Sequence, residues 1–162
     1  GSAGTILCIE TFEHVFEIRK AFDEVHRVLK PGGLFVITSP LNFRIHGYPD
    51  DYWRMTPSCL RRMMANYGAR LVGSQGHDKF PHTVMALGVK DPVPPDFTIR
   101  AERLRLAYDA WNQRAEAETP IAQRLRRQLQ MLYRSKGERY QLRDYHRAAW
   151  TLDVGQGLAL AG

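Results

Sequence analysis

Apolar residues first gather in the run Thr5-Ile6-Leu7-Cys8-Ile9, which closes on Glu10. A short β-branched run without polar alternation predicts a strand buried on both faces, as inside a parallel sheet. Phe16, Ile18, Ala21, Phe22, Val25, Val28 and Leu29 then follow spacings of three and four, which predict an amphipathic helix over 16–29. Lys30-Pro31-Gly32-Gly33 ends that helix with a cation, a proline and two glycines, and Leu34 to Thr38 reads as a second buried strand. A strand, helix and strand in this order predict a right-handed parallel crossover. The stretch 39–55 has no period and is rich in aromatics, His and Asp. Thr56-Pro57-Ser58 opens the next helix, with Thr56 as N-cap, Pro57 at its first position and Gly68 as its stop. Leu60, Met63, Met64 and Tyr67 form its apolar face. Residues 69–73 and 83–89 read as two further strands, and the link 74–82 is long for a tight hairpin.

Asp91-Pro92-Val93-Pro94-Pro95-Asp96 marks a proline-rich linker over 91–97, which divides a domain at 5–90 from a helical extension at 98–147. In the extension Leu104, Tyr108 and Trp111 recur at helical spacing. Ile121, Leu125, Leu129 and Leu132 do the same after Thr119-Pro120, which predicts a helical hairpin with Thr119 as the second cap. Residues 148–162, with Asp153 as their one charge, read as a loosely ordered tail. Gly1-Ser2-Ala3-Gly4 reads as a tag remnant or the start of a fragment and is set aside from the fold.

Composition adds constraints. The chain has 162 residues, 44% hydrophobic and 25% charged, ordinary for a globular domain with a real core. No apolar run approaches the ~20 residues that span a bilayer. Cys8 and Cys59 lack a Cys or His at metal-ligand spacing and read as inert buried thiols, which fits a reducing cytoplasm. The net charge of +6 is uneven: 1–97 hold 11 Lys/Arg against 10 Asp/Glu, and 98–147 hold 12 against 6. The arginines of the extension are spread along helices and mixed with Glu, as on a solvated face. No nucleic-acid partner is expected, while a membrane surface or protein partner for the extension stays open.

Three strings carry chemistry: Glu10-Thr11-Phe12-Glu13-His14-Val15, Arg27-Val28-Leu29-Lys30-Pro31-Gly32-Gly33, and the Tyr48-Pro49-Asp50-Asp51-Tyr52-Trp53-Arg54-Met55-Thr56-Pro57 string. In this order, with a strand before the first and after the second, they resemble the class I S-adenosylmethionine-dependent methyltransferases over about residues 5–90. The resemblance implies an α/β fold: the C-terminal half of a Rossmann-like sheet, mostly parallel with its last strand antiparallel, followed by the helical extension. It implies S-adenosylmethionine as methyl donor. The third string resembles a bacterial subgroup linked to polysaccharide or other surface-glycan assembly, which implies a small-molecule or glycan-type acceptor.

In open α/β sheets ligands lie beyond the carboxyl ends of the strands. Glu10, Thr11, Phe12 and His14 follow the first strand, and in similar enzymes this loop lines the methionine end of the cofactor. Glu10 or Thr11 would accept from its ammonium and Phe12 would pack on it; alternatively Glu13 and His14 cap the following helix. Asn42, Tyr48, Asp50, Tyr52, Trp53 and Arg54 crowd the loop after the second strand and suit an acceptor site, with His46 or Asp51 as general base. A structural alternative pairs Asp50 or Asp51 with Arg54 and plugs the core with Trp53. Lys30-Pro31-Gly32-Gly33 reads as a turn at the opposite edge without chemistry. His77, Asp78 and His82 do not make a compact ligand set, and no metal is expected.

The family's glycine-rich turn and ribose-binding acid would precede Thr5, so the resemblance implies a chain that binds the cofactor weakly and is inactive by itself. Two alternatives remain: a non-catalytic half-domain that pairs with another chain or with itself through an open sheet edge, and a helical interaction module for a glycan-assembly partner or a membrane surface.

Overall fold

In a computed structural model the described residues are 1–47 and 50–155, apart from the side chains of 137, 140, 141 and 143. The elements run β1 (Ala3–Ile9), a 3-10 turn (Phe12–His14), α1 (Ile18–Val28), β2 (Leu29–Pro40), α2 (Pro57–Met63), β3 (Ala69–His77), β4 (Phe80–Val89), α3 (Phe97–Ala117), α4 (Ile121–Tyr133), α5 (Lys136–Arg143) and β5 (Ala148–Val154). One mixed sheet has the order β1-β2-β4-β3-β5. β1 and β2 are parallel across the α1 crossover, and β4 runs antiparallel to both its neighbours. This is the α/β arrangement the sequence implies, with one strand more.

The added strand is β5, which pairs antiparallel with β3 from Ala69↔Val154 to Gln75↔Ala148. Residues 148–154 are therefore sheet, not loose tail; 156–162 lie outside the described residues. Gly73 explains the fit, because Trp150 lies against its Cα where a side chain would stand. Asp153 holds the strand from below, with its Oδ2 3.0 Å from Arg61 Nε and 3.9 Å from Arg70 Nε. Other boundaries shift for similar reasons. Ala3 and Gly4 belong to β1, since Ala3 pairs with Leu29 and the Ser2 N–H donates to the Val28 carbonyl at 2.7 Å. Lys30 to Gly33 is extended: β1 pairs Ala3 with Leu29 and next Thr5 with Leu34, so residues 30–33 bulge, with Gly32 at φ +72°. The link after Ser74 is a tight hairpin, because β3 and β4 pair as far as His77↔Phe80, with a register shift at Gly76.

One sheet face carries the main core. Phe35 and Ile37 of β2 pack under Phe12, Ile18, Phe22, Leu60, Met64 and Tyr67. Thr56 caps α2 as expected, accepting from the Cys59 N–H at 3.1 Å. On the other face Phe97 and Ala101 of α3 pack on Ala69, Leu71 and Val89, so the proline-rich segment folds the extension back onto the sheet. Thr119 is buried and donates to the Ala115 carbonyl at 2.8 Å, which closes α3 and leaves α4 without a side-chain cap. β1 has a single neighbour, and Leu7 and Ile9 on its second face are 65% and 52% exposed, where the apolar run predicts burial on both faces. Among the described residues no helix is long and apolar enough to cross a membrane.

Candidate functional site

Because β1 and β2 are parallel, their carboxyl ends at Ile9 and Pro40 open at one edge of the sheet. At that edge Glu10 takes φ +48°, a left-handed conformation unusual for a residue with a side chain. It is held there by its N–H, which donates to the Thr38 carbonyl at 3.1 Å and to Thr38 Oγ1 at 3.2 Å. The strain leaves the Glu10 side chain exposed. Thr11 donates its hydroxyl to the Ile9 carbonyl at 2.9 Å. Phe12 turns inward, 5% exposed, edge-on to Phe22 at 5.1 Å. Its ring belongs to the main core cluster.

The loop after β2 is sewn to this turn. The N–H groups of Tyr52 and Trp53 donate to the Glu13 carbonyl at 2.8 and 3.2 Å, and Trp53 Nε1 donates to the Val15 carbonyl at 3.0 Å. Trp53 thus pins the loop from outside, 38% exposed, and does not plug the core. Asp51 organises the interior. It takes a two-pronged contact from the Arg54 guanidinium and accepts from the His46 N–H at 2.9 Å, with His46 Nδ1 3.1 Å from its Oδ2. The Arg54 fork holds the Asp51 carboxyl well below the usual carboxylate range. A carboxylate engaged in this way holds both Arg54 and His46 in place. Asp50 accepts from the Tyr52 hydroxyl at 2.9 Å, and its carbonyl faces His14 Nδ1. Tyr48 lies outside the described residues.

A cavity of about 290 Å³ opens between the two loops and β4, lined by Glu10, Asn42, Phe43, His46, His82 and Tyr145. Asn42 is anchored on its wall by donating to the Pro81 carbonyl at 2.6 Å. His82 stacks on Tyr145 at 4.3 Å, and burial pushes its imidazole below the usual histidine range. Both its nitrogens are engaged, with Thr83 Oγ1 and the Tyr145 carbonyl each at 2.9 Å. His46, on the same wall, is held on its Nδ1 side by Asp51 at 3.1 Å.

Behind His46 lies Glu13, with no exposed surface and, among the described residues, no hydrogen bond from another residue to either carboxylate oxygen. It does not cap α1, whose N-cap Glu17 makes no side-chain bond either. Burial pushes its carboxyl up, and Glu10 adds to the rise while His14 and His46 oppose it. The His14 and His46 rings meet edge to face at 5.0 Å.

The structure thus brings together Glu10, His14, His46, Asp51, Arg54 and Asn42, and adds Glu13, His82 and Tyr145, which sequence reasoning missed. Glu13 had a signal, an acid beside His14 in an otherwise apolar turn. Tyr145 had none, since it arrives from the extension after α5. Among the described residues the paired glycines Gly32 and Gly33 lie at the amino end of the regular β2 ladder, not at the ligand edge.

No relative among the curated proteins matches the chain. Residues 1–37 match the model of a family described as a methyltransferase domain. The matched stretch holds β1, the Glu13-His14 turn, α1 and most of β2. It therefore covers the crossover whose carboxyl edge carries the site, and it supports a methyltransferase-type function for the domain these elements build.

Proposed function

We propose that the domain transfers a methyl group from S-adenosylmethionine to a hydroxyl of a small-molecule or glycan-type acceptor held in the cavity between the two loops. One observation carries the reading: at the carboxyl edge of the matched crossover, one cavity joins Glu10 on the donor-side loop to His46 on the acceptor-side loop. When bound, S-adenosylmethionine supplies an electrophilic methyl carbon on a sulfonium and leaves as a neutral thioether. Glu10 holds the donor's ammonium. Phe43, Asn42 and Tyr145 wall in the acceptor. His46 accepts the hydroxyl proton as the acceptor oxygen forms its bond to the methyl carbon, and Asp51 stabilises the imidazolium that results. Polar and aromatic lining around one basic group suits a hydroxylated ligand such as a sugar. The segment that holds the adenosine part is not supplied by these residues, so the chain by itself binds the cofactor weakly.

The test separates donor from acceptor roles. Calorimetric titration of S-adenosylmethionine into this chain is expected to show weak binding, and low-micromolar affinity would contradict it. In a longer protein that includes an adenosine-binding segment, His46→Ala should lower kcat about 100-fold or more with cofactor affinity nearly unchanged, while Glu10→Ala should weaken cofactor binding. The opposite pattern would mean that the two loops have been assigned the wrong way round.

A further inference from the structure

Glu13 is closed off from solvent, and among the described residues no other residue donates to its oxygens. His14 stands beside it, with Nε2 3.7 Å from Glu13 Oε1. The Asp50 carbonyl can only accept, so His14 Nδ1 donates to it and Nε2 is the ring nitrogen that faces the carboxylate. The space between them takes a positive charge, either a proton on Nε2 or a metal ion. His46 reaches the same point: one donor atom each from Glu13, His14 and His46 all lie within 4.8 Å of one another. The local charge favours a divalent ion. Glu10, Glu13 and Asp51 surround the cluster, Arg54 is already engaged by Asp51, and the Arg44 guanidinium lies over the Phe43 ring that packs on His46.

We propose that Glu13, His14 and His46 bind one divalent first-row transition-metal ion at the wall of the acceptor cavity. The proposal rests on the reading of that cavity as the acceptor site and names what fills the cluster beside it. Two imidazoles and one carboxylate suit Zn²⁺, Mn²⁺ or Fe²⁺ rather than Ca²⁺ or Mg²⁺, which favour all-oxygen shells. Three protein ligands leave a position for water or an acceptor hydroxyl. The rings are oriented from behind, as ligand histidines are: His14 by the Asp50 carbonyl and His46 by Asp51. When bound, the ion would supply Lewis-acid stabilisation of negative charge on an acceptor oxygen, in place of proton acceptance by His46.

The test is titration of Zn²⁺ into the full chain after chelator treatment, with Co²⁺ absorption in the visible as an independent report of imidazole ligation. One saturable site per chain is expected. Glu13→Gln and His14→Ala should each weaken it about tenfold or more, while His77→Ala, outside the cluster, leaves it unchanged. Circular dichroism checks folding, and Glu13→Gln preserves side-chain size, so loss of binding in a folded Glu13→Gln chain supports the site. Absence of a saturable site, or equal affinity in wild type and Glu13→Gln, overturns it. If His46→Ala still lowers turnover in that event, the metal falls and the acceptor-site reading stands.

Discussion

Glu13 and Asp51 are neighbouring carboxylates with opposite surroundings. The Arg54 guanidinium stabilises the charged form of Asp51, whereas burial without a donor stabilises the neutral form of Glu13. Their contributions to stability therefore run in opposite directions with pH. The Asp51 contribution is present above the ordinary aspartate range and is lost as pH falls toward its depressed value. The Glu13 contribution is present below the ordinary glutamate range and is lost as pH rises through its elevated value. In the metal-free chain, Glu13→Gln should thus raise stability at pH 8 by about 1–2 kcal/mol, roughly 2–6 °C in Tm. The gain should fade below about pH 4. Melting curves across that range check this, and a gain independent of pH would show that Glu13 is compensated in a way the geometry does not reveal. Both carboxylates are visible in the sequence, but only the fold shows which meets a guanidinium and which is buried beside imidazoles.

At the scale of elements, β5 depends on one charge. Asp153, 8% exposed, is the counter-ion of the equally buried Arg70, whose guanidinium also donates to the Arg61 and Met64 carbonyls at 3.1 and 3.2 Å. Asp153→Asn would leave that guanidinium without a partner charge at a cost of about 3 kcal/mol. The midpoint of urea unfolding should fall with the slope unchanged, and a shift below about 0.5 kcal/mol would show Arg70 to be satisfied by its carbonyl partners alone. The elements that local pattern can specify were legible: α1 and α2 from their apolar spacing, and the start of α2 from Thr56-Pro57. β5 was not, because its partner β3 is far away in sequence and neither alternation nor a turn signal announces the pairing. The packing of Trp150 over Gly73 makes 148–154 a strand, and that contact exists only in three dimensions.

For the whole molecule, the unpaired side of β1 is the most consequential surface. Leu7 and Ile9 are exposed beside a strand edge that has no neighbour among the described residues, an arrangement that favours pairing with another chain. Replacing both with Lys should abolish concentration-dependent association in sedimentation experiments and leave the circular dichroism unchanged; association of equal strength in the variant would place the contact elsewhere. The run Thr5 to Ile9, the period of α1 and the cap at Thr56 determined by themselves that a parallel crossover exists and which edge of it faces a ligand, because strand polarity and helix amphipathicity are local properties of the chain. The tertiary structure alone decided that Phe12 is core, that Asp51 is engaged by Arg54, that Glu13 is buried beside His14 and His46, and that Tyr145 closes the cavity from the distant extension. Those outcomes depend on which groups meet across long separations in sequence, and burial, charge pairing and cavity shape have no local signature from which they could be read.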